Sequence, residues 1–268
     1  MLLRVTVRER QGSPSRTWPR VRVEMIYLCI RHDVPWDDED AFRAQLRPAF
    51  APKVDAWNAT FRMPFREFRA QVREIARENA SCLDGVETRA WSDVPEGAIV
   101  LPADDDDWWA PDAASVLAAA ADDGVEAWHW PHTALEVPID LGHRIEKLRR
   151  RLVPSTPPRW TCSTNNYALR RRAGRDEIFL DHRAMSGWVA QTRGVRVLGR
   201  RLSVQNRTPA SITQMGFGRS RISSRELRRK LAEHRRLYER FAPPRPELEW
   251  MLPWVRRMAD LVGRVEER

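Results

Sequence analysis

Four consecutive aspartates form the most chemically distinctive run of this sequence. They are Asp104, Asp105, Asp106 and Asp107, in the stretch VLPADDDDWWAPD (100–112), between a short apolar segment and two tryptophans. Neighbouring carboxylates repel one another unless a cation neutralises them, and Mg²⁺ and Mn²⁺ prefer such hard oxygen ligands, often together with substrate phosphates. The run therefore predicts a divalent-cation site. The alternative is an acidic loop at a helix start, where carboxylates interact favourably with the helix dipole.

The residues on either side predict where the aspartates lie in the fold. Residues 94–103 are mostly apolar and predict a buried strand. Pro111 and Asp112 open an alanine-rich helix that we expect to extend to the Asp–Gly pair at 123–124. Ligands of open α/β sheets bind beyond the carboxyl ends of the strands. The aspartates follow such an end, which favours the cation-site interpretation.

Alternation of side chains along an extended chain would divide the four carboxylates into two pairs. Asp105 and Asp107 would point to one side and could reach a single cation. Asp104 and Asp106 would face elsewhere, toward a ribose or a backbone cap. The spacing leaves open which of the four ligate a metal.

Strand-like and helix-like segments alternate over the first ~200 residues, which predicts an α/β fold with a mostly parallel sheet. The segment RWTCSTNNYALRR predicts a strand that runs into a helix near Asn165. Ser223 and Glu226 form a capping box at the first of two C-terminal amphipathic helices. The other expected elements are strands at 21–30 and 125–130 and helices at 40–50 and 66–80. We therefore divide the chain into a leader or edge segment (1–20), an α/β domain (21–215) and a C-terminal helical extension (216–268).

Length and composition indicate a globular protein. The chain has 268 residues, 42% of them hydrophobic and 31% charged. Its longest apolar runs are shorter than the ~20 residues that cross a bilayer, and the first twenty residues lack the pattern of a secretory signal. Three widely spaced cysteines argue against a disulfide framework and a zinc site. We therefore expect no transmembrane segment and a cytoplasmic location.

Charge is distributed unequally along the chain. Residues 1–140 carry a net charge of −9, and residues 141–268 carry +18. An acidic half with a carboxylate cluster and a basic half suit a site for a cation together with a phosphorylated ligand. The alternative is a nucleic-acid or anionic-surface binding module that uses the basic half. Against it, the arginines of that half lie mostly on helices whose apolar faces need a core.

Three segments carry a resemblance to a known family. VLPADDDDWWAPD resembles the metal-binding segment of GT-A-fold glycosyltransferases, where a strand ends in a DXD-type motif followed by an aromatic residue and a helix start. CSTNNYALRR (162–171) and RLSVQNRTPASIT (201–213) resemble parts of bacterial family-2-like and rhamnosyl-type transferases. The resemblance covers residues 22–215. Where the family often has a first aspartate, this sequence has Pro-Ala, so the ligand assignment is open by one residue.

The resemblance implies a GT-A, Rossmann-like sandwich that transfers a sugar from a UDP-, GDP- or dTDP-sugar to an unidentified acceptor hydroxyl, with inversion. Mn²⁺ or Mg²⁺ would bridge the two phosphates of the donor and neutralise the leaving diphosphate. The implied metal ligands are Asp105, Asp106 and Asp107. The implied donor-binding residues are Arg31, His32, Asp33, Asp104, Asp105 and Trp108. An ordinary strand-end loop is an equal alternative for the first three of these.

An inverting transferase also needs a base for the acceptor hydroxyl. The candidates are Asp181 and, four residues earlier, Glu177; we favour Asp181, although a helix-surface carboxylate paired with an arginine is as good an interpretation. For the acceptor or the sugar, the candidates are Trp109, Trp130, Asn165 and Asn166. Their alternatives are core packing for the tryptophans and a helix cap for the asparagines.

Two further expectations concern partners and rival chemistry. The arginines of the first C-terminal helix predict a basic surface for an acidic partner, for a lipid headgroup at the membrane surface, or for the acceptor itself: a glycan, natural product, peptide or lipid-linked molecule. These arginines are Arg225, Arg228, Arg229, Arg235 and Arg236.

The alternative to a glycosyltransferase is another Mg²⁺-dependent diphosphate enzyme, a prenyl or nucleotidyl transferase. A prenyl enzyme would place its aspartates inside a helix, and a nucleotidyltransferase would have a glycine-rich phosphate loop near its first strand.

Overall fold

The computed structural model describes residues 26–31, 50–122, 124–135, 166–174, 194–211, 214–215, 221–243 and 245–268. Its strands are β1 (Ile26–Arg31), β2 (Val86–Thr88), β3 (Ile99–Asp104), β4 (Trp108–Trp109), β5 (Ala127–His129), β6 (Ala134–Leu135), β7 (Tyr167–Arg170), β8 (Val195–Val197) and β9 (Ser203–Asn206). Its α-helices are α1 (Ala51–Thr60), α2 (Phe65–Ser81), α3 (Ala113–Ala119), α4 (Ser224–Glu239) and α5 (Leu252–Gly263), with short 3-10 helices at Trp91–Asp93 and Pro246–Met251.

The main sheet has six strands in the order β2-β1-β3-β7-β5-β8. Strand β7 is antiparallel to β3 and β5, whereas β1 is parallel to β2 and β3, and β5 is parallel to β8. Strand β3 has the near-continuous apolar pattern of a strand covered on both faces. The predicted α/β class with a mostly parallel sheet is therefore confirmed.

A second, three-stranded sheet has the order β4-β9-β6. Strand β4 is antiparallel to β9, with Trp108 opposite Val204 and Trp109 opposite Ser203. Strand β6 runs parallel to β9. Because β4 begins directly after the four aspartates, these residues connect the two sheets.

The helices α1, α2, α4 and α5 share one apolar core with the second sheet. From α2 it contains Phe68, Val72 and Ile75, as the predicted helix 66–80 requires, and from the second sheet it contains Trp108 and Val204. The predicted Ser223 cap is confirmed by a 3.2 Å bond from the Glu226 amide to Ser223 Oγ, one of the two bonds of a capping box. The described part of the 216–268 extension thus packs into the same core as α1 and α2.

Some predicted elements differ from the structure. The helix expected near Asn165 is wrong: Tyr167 begins a strand, because β7 pairs with β3 on one side and β5 on the other. Helix α3 ends at Ala119 instead of 123: the Ala121 amide donates to the Ala118 carbonyl, three residues back, instead of continuing the helical pattern. Helix α1 was not predicted from its mixed pattern. The leader 1–20, the expected helix 40–50 except for residue 50, and residues 175–193 lie outside the described residues.

Candidate functional site at the end of strand β3

The aspartates lie where the order of the main sheet reverses. Strand β1 sits between β2 and β3, so the chain leaves β1 to one side for β2 and returns on the other side as β3. The crevice beyond the carboxyl ends of strands at such a switch point is the usual ligand site of open α/β sheets. The β1–β3 register places Arg31 opposite Asp104 at these ends. The sheet therefore brings two of the predicted donor-binding positions together.

We name residues 104–107 the acidic turn. Asp104 ends β3, and the Asp107 amide donates to the Asp104 carbonyl at 3.3 Å. Because the chain turns here, strict alternation does not describe the four side chains. Asp104, Asp105 and Asp107 line one cleft of about 20 Å³, which has room for about one water molecule, whereas Asp106 does not line it.

Two arginines of α2 neutralise part of the acidic turn. Arg69 Nη2 lies 3.2 Å from Asp105 Oδ1, and Arg69 Nη1 lies 2.8 Å from Asp106 Oδ2. Arg73 Nε lies 3.2 Å from Asp105 Oδ2. The two arginines are four residues apart and so share one helix face. The turn therefore has four carboxylates against two guanidinium groups of the described side chains.

Asp107 is the most buried carboxylate of the turn. Its side chain is 3% exposed, and Oδ1 accepts a 3.2 Å bond from the Asn206 amide in β9. Its Oδ2 is buried without a hydrogen-bond partner. Burial, together with the charges of Asp106 and Asp104, raises the pKa of Asp107 well above the usual carboxyl range. Burial also raises the pKa of Asp106, against the opposing effect of Arg69.

This donor set fits a divalent cation that shares its coordination sphere with a ligand. Among the described residues, no group of three or more carboxylate, histidine or cysteine side chains is arranged to hold a metal ion. Mg²⁺, however, is commonly bound by one or two carboxylates plus substrate phosphates. The unpartnered Oδ2 of Asp107 supplies one such oxygen, and Asp104 and Asp105 line the same cleft.

The predicted stacking tryptophans lie in the core. Trp108, Trp109 and Trp130 are at most 1% exposed. The rings of Trp109 and Trp130 meet edge to face with centroids 5.9 Å apart, and Trp130 Nε1 donates to Ser203 Oγ at 2.8 Å. The side chain of Asn79 bonds both backbone polar groups of Trp109. Trp109 lines the cleft of the acidic turn, and all three indoles are too buried to present a ring face to a sugar.

Asn166 precedes β7 and is 1% exposed. Its Nδ2 donates to the Trp130 carbonyl at 3.1 Å and lies 3.1 Å from His129 Nε2. It thus connects β7 to the end of β5. His32, Asp33, Asn165, Glu177 and Asp181 lie outside the described residues, and only the backbone of Arg31 is described.

Three arginines of the predicted basic surface make contacts within the protein. Arg228 pairs with Glu267 at 2.8 Å, Arg229 with Glu233 at 3.4 Å, and Arg235 donates to the Val262 carbonyl at 3.3 Å. Of the five arginines, Arg225 and Arg236 are exposed. The exposed part of this surface is therefore smaller than the sequence predicts.

Several residues around the turn were missed from the sequence. Arg69 and Arg73 are four residues apart beside the apolar stripe of α2. This spacing could have indicated a pair of arginines on one helix face. Asn206 and Ser211 lie in the 201–213 segment that carries the resemblance, but their bonds to the turn were not predicted; Ser211 Oγ donates to Asp106 Oδ2 at 3.5 Å. Their position follows from the pairing of β9 with β4.

No protein-family model and no curated protein matches this chain significantly. Among the described helices, none combines the length and the apolar composition that a membrane span requires.

Proposed function

We propose that the protein is a metal-dependent glycosyltransferase of the GT-A type, which transfers a sugar from a nucleoside-diphosphate sugar to an acceptor hydroxyl. The observation that carries the proposal is the buried, unpartnered Oδ2 of Asp107 at a switch point of a mostly parallel sheet. A buried carboxylate is costly unless paired, and such perturbed groups concentrate at functional sites. A cation bound there offsets this cost.

The residues of the chain have distinct parts in this proposal. Asp107, with Asp104, would hold Mn²⁺ or Mg²⁺, because Arg69 and Arg73 already pair with both oxygens of Asp105, and Arg69 also pairs with Asp106. The bound cation would neutralise the departing diphosphate. Asp181 would take the proton of the acceptor hydroxyl as its oxygen bonds to the anomeric carbon and the bond from that carbon to the diphosphate breaks.

Calorimetry with UDP, GDP and dTDP tests the proposal. We expect at least one of them to bind in Mn²⁺ and not in EDTA, and Asp107→Asn to abolish this binding. Asp112→Asn is the matched control, because Asp112 is a half-exposed carboxylate that pairs with Arg200 outside the acidic turn. Equal nucleotide affinity in EDTA and in Mn²⁺ would contradict the metal-bridged site.

The exposed arginines of α4 provide the supporting observation for an acidic acceptor or partner. Arg225 and Arg236 lie on its exposed side, whereas Arg228 and Arg229 have internal partners. Binding through this surface should weaken between low and physiological salt. Salt-dependent retention of a nucleic acid without any nucleotide-sugar binding would favour the binding-module alternative.

A further inference from the structure

Lys230, His234 and Tyr238 form a buried polar stripe on α4. They are spaced four residues apart, so they lie on successive turns of one helix face. All three are at most 3% exposed. Buried polar groups are costly without partners. Each of the three side chains finds a partner in one short segment, of which residues 206–211 and 214 are described: the partners are Gln214, Arg207 and Asn206.

The first two contacts of the polar stripe are to backbone carbonyls. Lys230 Nζ donates to the Gln214 carbonyl. His234 Nε2 lies 3.0 Å from the Arg207 carbonyl, and its Nδ1 lies 2.8 Å from the Lys230 carbonyl. Because carbonyl oxygens only accept, each ring nitrogen makes its bond only when it carries a proton. These contacts hold residues 207 and 214 against α4.

The third contact reaches a side chain of β9. Tyr238 O–H donates to Asn206 Oδ1 at 3.2 Å, with both groups buried. The backbone amide of the same Asn206 donates to Asp107 Oδ1 at 3.2 Å. A short path of hydrogen bonds thus joins Tyr238 to Asp107 through one residue. Burial raises the pKa of Tyr238, with the Asp106 charge as a second cause, so its hydroxyl stays a donor.

The remaining contact of this segment also ends on the acidic turn. Ser211 Oγ donates to Asp106 Oδ2 at 3.5 Å and lies 3.2 Å from Thr208 Oγ1. Asn206, Arg207 and Gln214 are therefore held by α4, whereas Asn206 and Ser211 bond Asp107 and Asp106 of the acidic turn.

Docking of α4 alone does not require these polar groups. Leu227 and Leu231 already bury its apolar face, and apolar residues in place of buried polar ones are often neutral or stabilising. Buried polar contacts instead specify one relative position of the groups that they join. We propose that the polar stripe positions the acidic turn, with Tyr238 as a positioning residue that orients Asp107 through Asn206. That the acidic turn binds a cation rests on the proposed function, whereas the positioning role of Tyr238 does not.

Tyr238→Phe tests the proposal, because it removes one hydroxyl and keeps the ring packing. Tyr27→Phe is the matched control, since Tyr27 is a buried phenol on β1 in a separate apolar cluster. The first measurement is amide hydrogen exchange of Asn206 by NMR in EDTA. The second is Mn²⁺ affinity by electron paramagnetic resonance, with Mn²⁺ alone as the probe. Thermal midpoints show that the variants are folded.

We expect Tyr238→Phe to speed exchange of the Asn206 amide and to weaken Mn²⁺ binding, each by about fivefold, the change that corresponds to one net hydrogen bond. Tyr27→Phe should change neither. Unchanged Asn206 exchange in Tyr238→Phe, or an equal effect of both variants, overturns the positioning role. If the wild type binds no Mn²⁺, the proposed function fails, whereas the exchange measurement still decides whether Tyr238 positions the turn.

Discussion

Arg69 and Asp106 form an ion pair of 2.8 Å that is 11% and 15% exposed, between helix α2 and the end of strand β3. The same guanidinium reaches Asp105 at 3.2 Å. A single arginine thus compensates two adjacent carboxylates that would otherwise repel each other in a poorly solvated place. The acidic turn is tolerated in the fold partly because α2 supplies this charge.

Replacement of Arg69 should destabilise the fold strongly. Arg69→Met keeps the aliphatic stem but leaves the shielded Asp106 without its arginine and Asp105 with Arg73 alone, which costs about 3–5 kcal/mol of unfolding free energy. Urea unfolding measures the loss. Arg77→Met is the control: Arg77 lies on the same helix, but its pair with Glu74 is more than half exposed, so the change should stay within about 0.5 kcal/mol. Equal effects of the two variants would show that the turn needs no arginine.

Asp107→Asn should stabilise the metal-free protein at neutral pH. Since burial raises the folded-state pKa of Asp107, its contribution to stability is greatest below the ordinary carboxyl pKa and is lost as pH rises through the raised value. A neutral amide escapes this loss. We expect its unfolding free energy to rise by about 0.5–2 kcal/mol, the size common among stabilising substitutions. Urea unfolding in EDTA should show the gain at pH 7.5 and a smaller difference near pH 4. A less stable variant at pH 7.5 would refute the prediction.

Gly194→Ala should destabilise the contact between β5 and β8. A Cβ atom at Gly194 would lie 2.2 Å from the Gly124 carbonyl oxygen, closer than any tolerated contact. The Gly194 carbonyl also accepts bonds from the Glu126 and Ala127 amides, so the backbone cannot shift freely. We expect a loss of about 1–3 kcal/mol in urea unfolding. Gly199→Ala, where no atom lies within 4 Å of the added methyl, should leave stability nearly unchanged.

Cys29 and Cys82 should differ sharply in reactivity. Cys29 is buried in β1, and burial raises the pKa of its thiol to about 12, against a smaller lowering effect of Arg171. Cys82 is exposed at the end of α2. Because the thiolate is the reactive species, iodoacetamide at pH 8 should modify Cys82 and leave Cys29 unmodified until urea unfolds the protein. Peptide mass spectrometry reads both sites, and rapid native labelling of Cys29 would contradict the burial.

The assignment of the base predicts a contrast between two carboxylates of the 175–193 segment. Asp181→Asn should lower glycosyl transfer by about 10²–10⁴-fold while nucleotide binding stays nearly intact. Glu177→Gln makes the same charge change four residues away and should retain activity. Slow hydrolysis of the donor in water provides an assay before the acceptor is identified. Loss of activity only in Glu177→Gln would transfer the role to Glu177.

Local sequence patterns predicted the helices and strands that are specified by their own residues. The apolar stripe of α2, the apolar run of β3 and the Ser223 cap all occur where the sequence places them. Strand β7 could not be separated from a helix locally, because its two neighbouring strands determine its form.

The position of the acidic turn was also predictable, but its partners were not. Arg69 and Asp106 are 37 positions apart, and Asn206 and Asp107 are 99 apart. Such contacts follow from the packing of α2 and β9 around the turn. No local sequence pattern indicates this packing. The burial of Trp109 and Trp130 follows from the same packing. Their residue type alone suggested that they stack on a sugar, whereas their rings are buried in the structure.

Closure of the helical core by residues 266–268 affects how the chain can fold during synthesis. The Arg268 amide donates to the Thr60 carbonyl at 3.0 Å, and Arg268 Nε bonds the Phe61 carbonyl across 207 positions. Such long-range closure is slow because the loop entropy is lost before the contacts form. Helices α1 and α2 therefore emerge from the ribosome with an incomplete core. The core residues of these two helices can be covered only after α4 and α5 have been translated.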